Sequence, residues 1–210
     1  MKHNRKTPDF VIRLPPPSSR GRISVEEAIS RRKSVRRYEE SALTLEQLSQ
    51  ILWSAQGITH GKFRAVPSAG ATYPLEIMVV AGQQTVVGLN AGIYHYDPNS
   101  HSLTMEKASD IRQHLSGAAL GQQCVANAPA VLVACAIFSR TAFRYGTRAQ
   151  RYVNIEVGHI GQDVHLQAIT LGLGAVMVGA FDDETVRELL GLDETVRPLY
   201  IMPVGRPAGE

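Results

Sequence analysis

The sequence predicts an α+β chain built on one mixed sheet covered by helices on both faces. Leu75–Ala81 is β-rich and bounded by Pro74 and Gly82, and residues 129–138 are the most hydrophobic stretch in the chain, as buried strands are. Val153, Val157, Ile160, Val164 and Ala168 recur at helical spacing over a segment three times as long. The elements interleave without a strict βαβ period, so a doubly wound parallel sheet is not expected. At 210 residues with 44% hydrophobic and 20% charged residues, the chain has the composition of one globular domain.

In order along the chain, residues 1–23 contain Pro8, the run Pro15, Pro16, Pro17, and Gly21, which exclude a regular helix and predict an extended basic arm. That arm either stays flexible or packs on a partner subunit, and residues 24–210 form the domain. Ser24 with Glu27 opens a helix through about Lys33, and Thr44 with Gln47 opens a second ending near Gly57. Leu75–Ala81 is a strand. Gly92–Asp97 alternates and pairs with 102–105 across a turn at Asp97, Pro98, Asn99 and Ser100. A helix near 108–120 precedes the most hydrophobic strand, 129–138, expected to be central. The long helix covers about 149–171. Gly172 and Gly174 end it and lead into a buried strand over 175–180, a short helix near 184–190 and a last strand over 199–204.

The net charge of +3 is misleading about partners. Residues 1–22 hold six basic residues and one acid, which leaves the remaining body at −2. In that body Arg31, Arg32, Lys33, Arg36 and Arg37 form a single concentrated positive spot, the right size for a phosphate and too small for a nucleic-acid duplex. Cys124 and Cys135 lie in apolar surroundings without metal or redox spacing, so a reducing, cytoplasmic compartment is expected. No apolar run approaches membrane-helix length, and the basic start lacks the apolar stretch of a secretory signal.

Arg32, Ser34 and Arg36 alternate just past a helix end, so in an extended chain they point the same way and could close on one anion; a solvated basic helix end has the same appearance. Residues 67–74, PSAGATYP, set small residues and two hydroxyls between prolines directly before a buried strand. This pattern suits close approach of backbone to a flat ligand, or merely a tight connection. Gly172, Gly174 and Gly179 have neither the spacing nor the strand-turn-helix order of a dinucleotide fingerprint. Glu156, His159 and Asp163 sit at i, i+3 and i+7; a carboxylate-bridged iron site would need a second such motif, so a packed helix face with His159 hydrogen-bonded is expected, and no metal.

Taken in order, these segments resemble the nitroreductase superfamily of FMN-dependent oxidoreductases, and most closely its SagB-type dehydrogenase branch, from about Ser24 to Arg206. The resemblance rests on Arg32-Lys33-Ser34-Val35-Arg36, on PSAGATYPLE from Pro67 to Glu76, on the helix carrying Glu156, Gly158, His159 and Gln162 followed by GLGAVMVGAF, and on the terminal PVGRP. It implies a mainly antiparallel sheet in a domain-entwined homodimer. Arg32, Lys33, Ser34, Arg36 and Arg206 would hold the FMN phosphate and ribityl chain. Pro67, Ser68, Ala69 and Tyr73 would reach the flavin of the opposite subunit, and Val178, Gly179 and Ala180 would set backbone amides beside flavin N5. Two departures stand out. Nitroreductases proper place Asn and Gln where this chain has Ala71 and Tyr73, and azoline-oxidising members place Lys where this chain has Arg144, before Tyr145. Arginine stays protonated where lysine can be tuned into a base.

The resemblance therefore implies an FMN-dependent oxidoreductase that takes reducing equivalents from NAD(P)H and delivers them through flavin N5 to a small acceptor such as a nitro compound or quinone. Tyr145 and Arg144 are the candidate catalytic residues. The alternatives are a SagB-like dehydrogenase or oxidase acting on a peptide or small metabolite, and a flavin redox sensor without turnover.

Overall fold

In the computed structural model, which describes residues 10–209, β2 (Leu75–Ala81) and β5 (Ala130–Ala136) form the middle of a seven-stranded sheet. Their residues alternate between two cores, as the two-residue period of a strand requires. Ile77, Val79, Ala81, Leu132 and Ala134 face one core, and Met78, Val80, Val131, Val133 and Cys135 face the other. The remaining strands are β1 (Val11–Arg13), β3 (Gly92–Asp97), β4 (Ser102–Lys107), β6 (Gly174–Ala175) and β7 (Arg197–Gly205), in the order β1-β4-β3-β2-β5-β7-β6. All six strand pairings are antiparallel. Among the described residues, parallel contacts are limited to the isolated bridges Ser34–Ala175 and Leu43–Val86.

One face of the sheet is covered by α2 (Leu45–Gln56) and α6 (Ala149–Thr170), whose Leu48, Ile51, Leu52, Val153, Ile160 and Val164 belong to the first core. The other is covered by α3 (Arg112–Ala118), α4 (Gln123–Asn127) and α7 (Asp183–Leu189), through Leu115, Val125 and Val186. The caps read from sequence form: Ser24 accepts from the Glu27 amide to start α1 (Val25–Arg31), and Thr44 and Gln47 make a complete capping box. Among the described residues no helix is long and apolar enough to cross a membrane.

Several boundaries differ from expectation. The described part of the arm packs on its own chain: β1 pairs with β4, the Pro15 carbonyl accepts from Ser49 Oγ at 2.6 Å, and Ser18 exchanges hydrogen bonds with Gln50. Lys2, Arg5 and Lys6 lie outside the described residues. The strand expected over 175–180 shrinks to Gly174–Ala175 plus an isolated bridge at Val178, because Pro203 of the facing strand has no N–H to complete a regular ladder with Val176, and Gly179 and Ala180 lie beyond the pairing. The strand expected over 129–138 ends at Ala136, and the helix α5 (Phe138–Tyr145) follows it. No separate helix is expected from the sequence over α4 or α5, although Phe138, Ala142 and Tyr145 of α5 recur at helical spacing.

A Cβ on Gly174 would stand 2.4 Å from Val35 Cγ2, so the residues following α1 can lie against β6 only because position 174 is glycine. Gly174→Ala is expected to destabilise the fold by about 1–3 kcal/mol. Val35→Ala in the same chain should restore much of that loss. A double-mutant cycle in urea checks this, and additive effects would refute the contact's role.

Candidate functional site

After α1 the chain is extended, with Arg32 at φ −60° and ψ 120°. Val35 turns inward and its amide donates to the Ala175 carbonyl at 2.9 Å, while Ser34 and Arg36 turn outward. Half-buried Arg32 lies near the buried His165 of α6; burial, reinforced by the Arg32 charge, pushes that imidazole down to about 4, so it is neutral near pH 7. Arg36 lies close enough to Tyr38 and to Cys124 of α4 for its charge to act on both. Tyr38, which sequence reasoning passed over, fixes this segment: its hydroxyl sits 2.7 Å from the Val35 carbonyl and 3.1 Å from that of Pro203 on β7. The Glu39 amide donates to the Arg206 carbonyl, and the two side chains form an exposed ion pair at 3.6 Å. Lys33 lies apart from the outward-facing set and lines a recess with Arg31, Val35 and Leu173.

Beside this segment, the Val178 amide closes the bridge to Ile201, after which Gly179 and Ala180 are exposed. Among the described residues neither N–H of this pair has a partner, whereas the Ala180 carbonyl accepts from Gln122 at 3.3 Å. Outward-facing arginines and a serine, followed by free amides on a small-residue backbone, are a donor set that fits a phosphate and the polar edge of a flat heterocycle.

The 67–74 loop lies at the other end of the sheet. Leu75 pairs with Ala136 and Ala136 with Arg197, at the start of β7, whereas Arg206 follows its end. Eight residue steps of β7 separate these ends by roughly 27 Å. Gly70, Ala71 and Tyr73 have φ of 60°, 53° and 45°, and for the two non-glycine residues this left-handed backbone costs on the order of 1–3 kcal/mol each. Several bonds hold it: the Tyr73 amide donates to Ser68 Oγ at 2.9 Å, Thr72 Oγ1 meets Thr141 Oγ1 at 2.9 Å, and Arg140 donates to the Tyr73 carbonyl at 3.1 Å. Arg140 also pairs with Glu76 at 2.5 Å, and His95 reaches the same carboxylate at 2.7 Å. The two sequence-predicted catalytic residues meet this loop. Arg144 donates to the Gly70 carbonyl at 3.3 Å, and a Cβ on Gly70 would lie 2.7 Å from Tyr145 Oη. Pro67 is exposed; Ser68 and Ala69 are half-buried.

Glu156 is 2% exposed beneath the loop, and its Oε1 has no hydrogen-bond partner among the described residues. Burial pushes its carboxyl up to about 7, against the opposing pull of Ser68, Arg64 and Gln56. Arg64 in turn donates to Gln56 Oε1 at 2.7 Å and stacks over the Tyr73 ring at 4.6 Å. The packed face expected for Glu156, His159 and Asp163 is not continuous: His159 is exposed and makes no hydrogen bond among the described residues. Its helix position turns it away from the core that receives Glu156. Nor is the basic spot at 31–37 single. Arg140, Arg144, Arg148 and Arg151 gather at helical spacing around the other half of the site, beyond the reach of a seven-residue window.

The sequence pattern of the Nitroreductase family matches residues 29–206. The chain belongs to that family. It is 48% identical over 185 residues to the nitroreductase-like protein MJ1384 of Methanocaldococcus jannaschii, covering 88% of this chain and 91% of that one. It is 30% identical over 148 residues to the microcin B17-processing protein McbC of Escherichia coli, covering 68% of this chain and 54% of McbC, which places it with the SagB-type branch. Among solved structures, a nitroreductase-family protein from Ralstonia eutropha superimposes with a TM-score of 0.83 at 27% identity, covering 98% of this chain and 93% of that one.

The raised Glu156 carboxyl fixes a sign. The unfolded chain ionises near 4.5 and the folded chain near 7, so Glu156 contributes stability that is complete below about pH 4.5 and lost as pH rises to about 7, on the order of 3 kcal/mol. His165 titrates in the opposite sense, its contribution being lost as pH falls from 6.5 towards 4. Glu156→Gln should therefore gain stability relative to the wild type between pH 5 and pH 8. Denaturant unfolding at both pH values measures the difference; a pH-independent difference would contradict the assignment.

Proposed function

We propose that the chain is an FMN-dependent oxidoreductase acting as a homodimer, passing reducing equivalents from NAD(P)H to a small organic acceptor such as a nitro compound or a quinone. The observation that carries this reading is the division of the site. The phosphate-type donors stand near one end of β7, the free amides lie past its middle beside Tyr200, and the strained loop with Tyr145 stands at the other end, about 27 Å from Arg206. One chain cannot close both on one ligand, whereas two chains related by a twofold axis can close two such sites.

Arg32, Ser34 and Arg36 would hold the phosphate and ribityl chain, with Arg206 released from an exposed ion pair that stabilises it by no more than about 1 kcal/mol. The Gly179 and Ala180 amides would face flavin N5. When bound, FMN supplies hydride transfer between reductant and acceptor. The 67–73 loop would close the partner's site and exclude water from the ring, and the Tyr145 hydroxyl would hold a proton beside the Gly70 backbone. The likeness to McbC favours a second reading, dehydrogenation of a peptide or small metabolite, in which Arg144 would orient the substrate and could not act as a base. Two free, buried cysteines agree with a reducing compartment.

Purified protein mixed with FMN and gel-filtered should elute yellow at dimer mass, and Arg32→Glu with Arg36→Glu should elute colourless at the same mass. Anaerobic NADH or NADPH should bleach the loaded protein. A colourless wild type would overturn the flavin reading, and a monomeric yellow protein the shared site. A yellow dimer that neither nucleotide bleaches would favour the peptide or metabolite reading.

A further inference from the structure

Between Asp110 and Glu156 the chain contains no acidic residue and five arginines. Two are neutralised: Arg112 binds Asp110 through Nε and Nη2, and Arg140 pairs with Glu76. Arg144, Arg148 and Arg151 have no acidic partner among the described residues, and all three are exposed. They follow one another through α5, the short turn Gly146–Arg148 and the first turn of α6, on the corner that Arg144 and Tyr145 close against Gly70. Aromatic surface lies beside them: Tyr145 and Tyr152 meet edge to face at 4.9 Å, and Phe143 is 96% exposed.

The placement runs against helix stability. α1, α2 and α7 begin with a capping Ser24, Thr44 or Asp182 and an acidic first turn. α6 has neither, and carries Arg148 and Arg151 at the end where cations are unfavourable. Natural chains break such local rules chiefly at functional or strained sites.

We infer that this corner selects the second substrate, and that it selects flat molecules bearing an anionic group, a carboxylate, sulfonate or phosphate. The inference rests on the flavin reading above, because the Gly70 loop is what would bring the corner to the partner's flavin. The uncompensated guanidinium groups supply an attractive field and bidentate donors, and the tyrosines and Phe143 supply ring contact. The anion has two possible sources, the acceptor itself or the 2′-phosphate of NADPH.

4-Nitrobenzoate and 4-nitrobenzamide differ in charge and little in shape. With the FMN-loaded protein, 4-nitrobenzoate should show a KM about tenfold lower at low salt, an advantage that disappears in high salt as exposed charges are screened. Arg148→Gln with Arg151→Gln should abolish that advantage and leave turnover of 4-nitrobenzamide intact. The double variant should melt no lower than the wild type, since both cations oppose the helix end. If the variant changes only the preference for NADPH over NADH, the 2′-phosphate is the anion; if it changes only the nitrobenzoate advantage, the acceptor is. Equal KM values for the two acceptors, with no change in nucleotide preference, would overturn the inference, as would a preference that survives salt and both substitutions. Calorimetric titration of the two compounds needs no turnover. A colourless or inactive protein would sink the flavin reading, while anion-selective, salt-sensitive binding in calorimetry would still uphold the corner and its absence would refute it.

Discussion

β7 is hydrogen-bonded along both edges, and both halves of the candidate site depend on that. On one side it pairs with β5 from Ala136–Arg197 to Ala130–Val204. On the other, β6 pairs with its end and the Val178–Ile201 bridge follows, each residue donating to the other's carbonyl. Buried backbone must be paired, so the edge of β7 draws residues 174–178 alongside it. Gly179 and Ala180 are the first residues beyond that pairing, and their unpartnered amides are a product of where it stops. Pro203, inside β7, has no N–H to give; its carbonyl accepts from both the Val176 amide and the Tyr38 hydroxyl. The segment carrying Ser34 and Arg36 is thus held by one proline carbonyl, one tyrosine and the Val35 amide, and after it by the Arg37–Ala208 and Glu39–Arg206 backbone bonds.

What could be read in the sequence was what burial dictates. β2, β5, α2 and α6 bury whole faces, and the two-residue and helical periods of those faces appear directly in the residues. α5 fully buries only Thr141, and its half-buried Phe138, Ala142 and Tyr145, although at helical spacing, run directly on from the apolar strand β5 and are masked by it; α4 is little more than one turn. Residues 175–180 show the opposite failure: Val176 and Val178 are buried and bonded to β7, but Pro203 opposite has no N–H to complete a regular ladder and the pairing ends before Gly179, features that hydrophobicity does not report. Within the site, the alternation of Arg32, Ser34 and Arg36 was legible because a single fact, extended chain after a helix, decides it. The role of Glu156 was not, because it depends on Ser68, Gln56 and Arg64, which sequence places 88 or more positions away.

The 68–73 loop owes its shape to its surroundings. Left-handed Ala71 and Tyr73 would relax in an isolated peptide, yet Ser68, Thr141, Arg140 and Arg144 hold the loop from within and from α5, and Arg64 holds the Tyr73 ring from the side of α2. The hydroxyl and amide around Glu156 suit an anion, while complete burial opposes one, which is why the carboxyl sits near neutrality instead of in the ordinary range.

In the proposed dimer this division of labour has a consequence. The phosphate would be held by residues anchored to the end of β7, and the substrate wall would be supplied by α5 of the other chain, attached to the opposite end of the sheet. Changes in α5 would then alter which molecules approach the flavin without touching the contacts that retain it. The loop-facing side of α5 is constrained through Arg140, Thr141 and Arg144, whereas Phe143 is free to vary. The substrate wall of this chain would therefore change with the exposed face of one lightly buried helix, while half-buried Phe138, Ala142 and Tyr145 and buried Thr141 keep that helix in place.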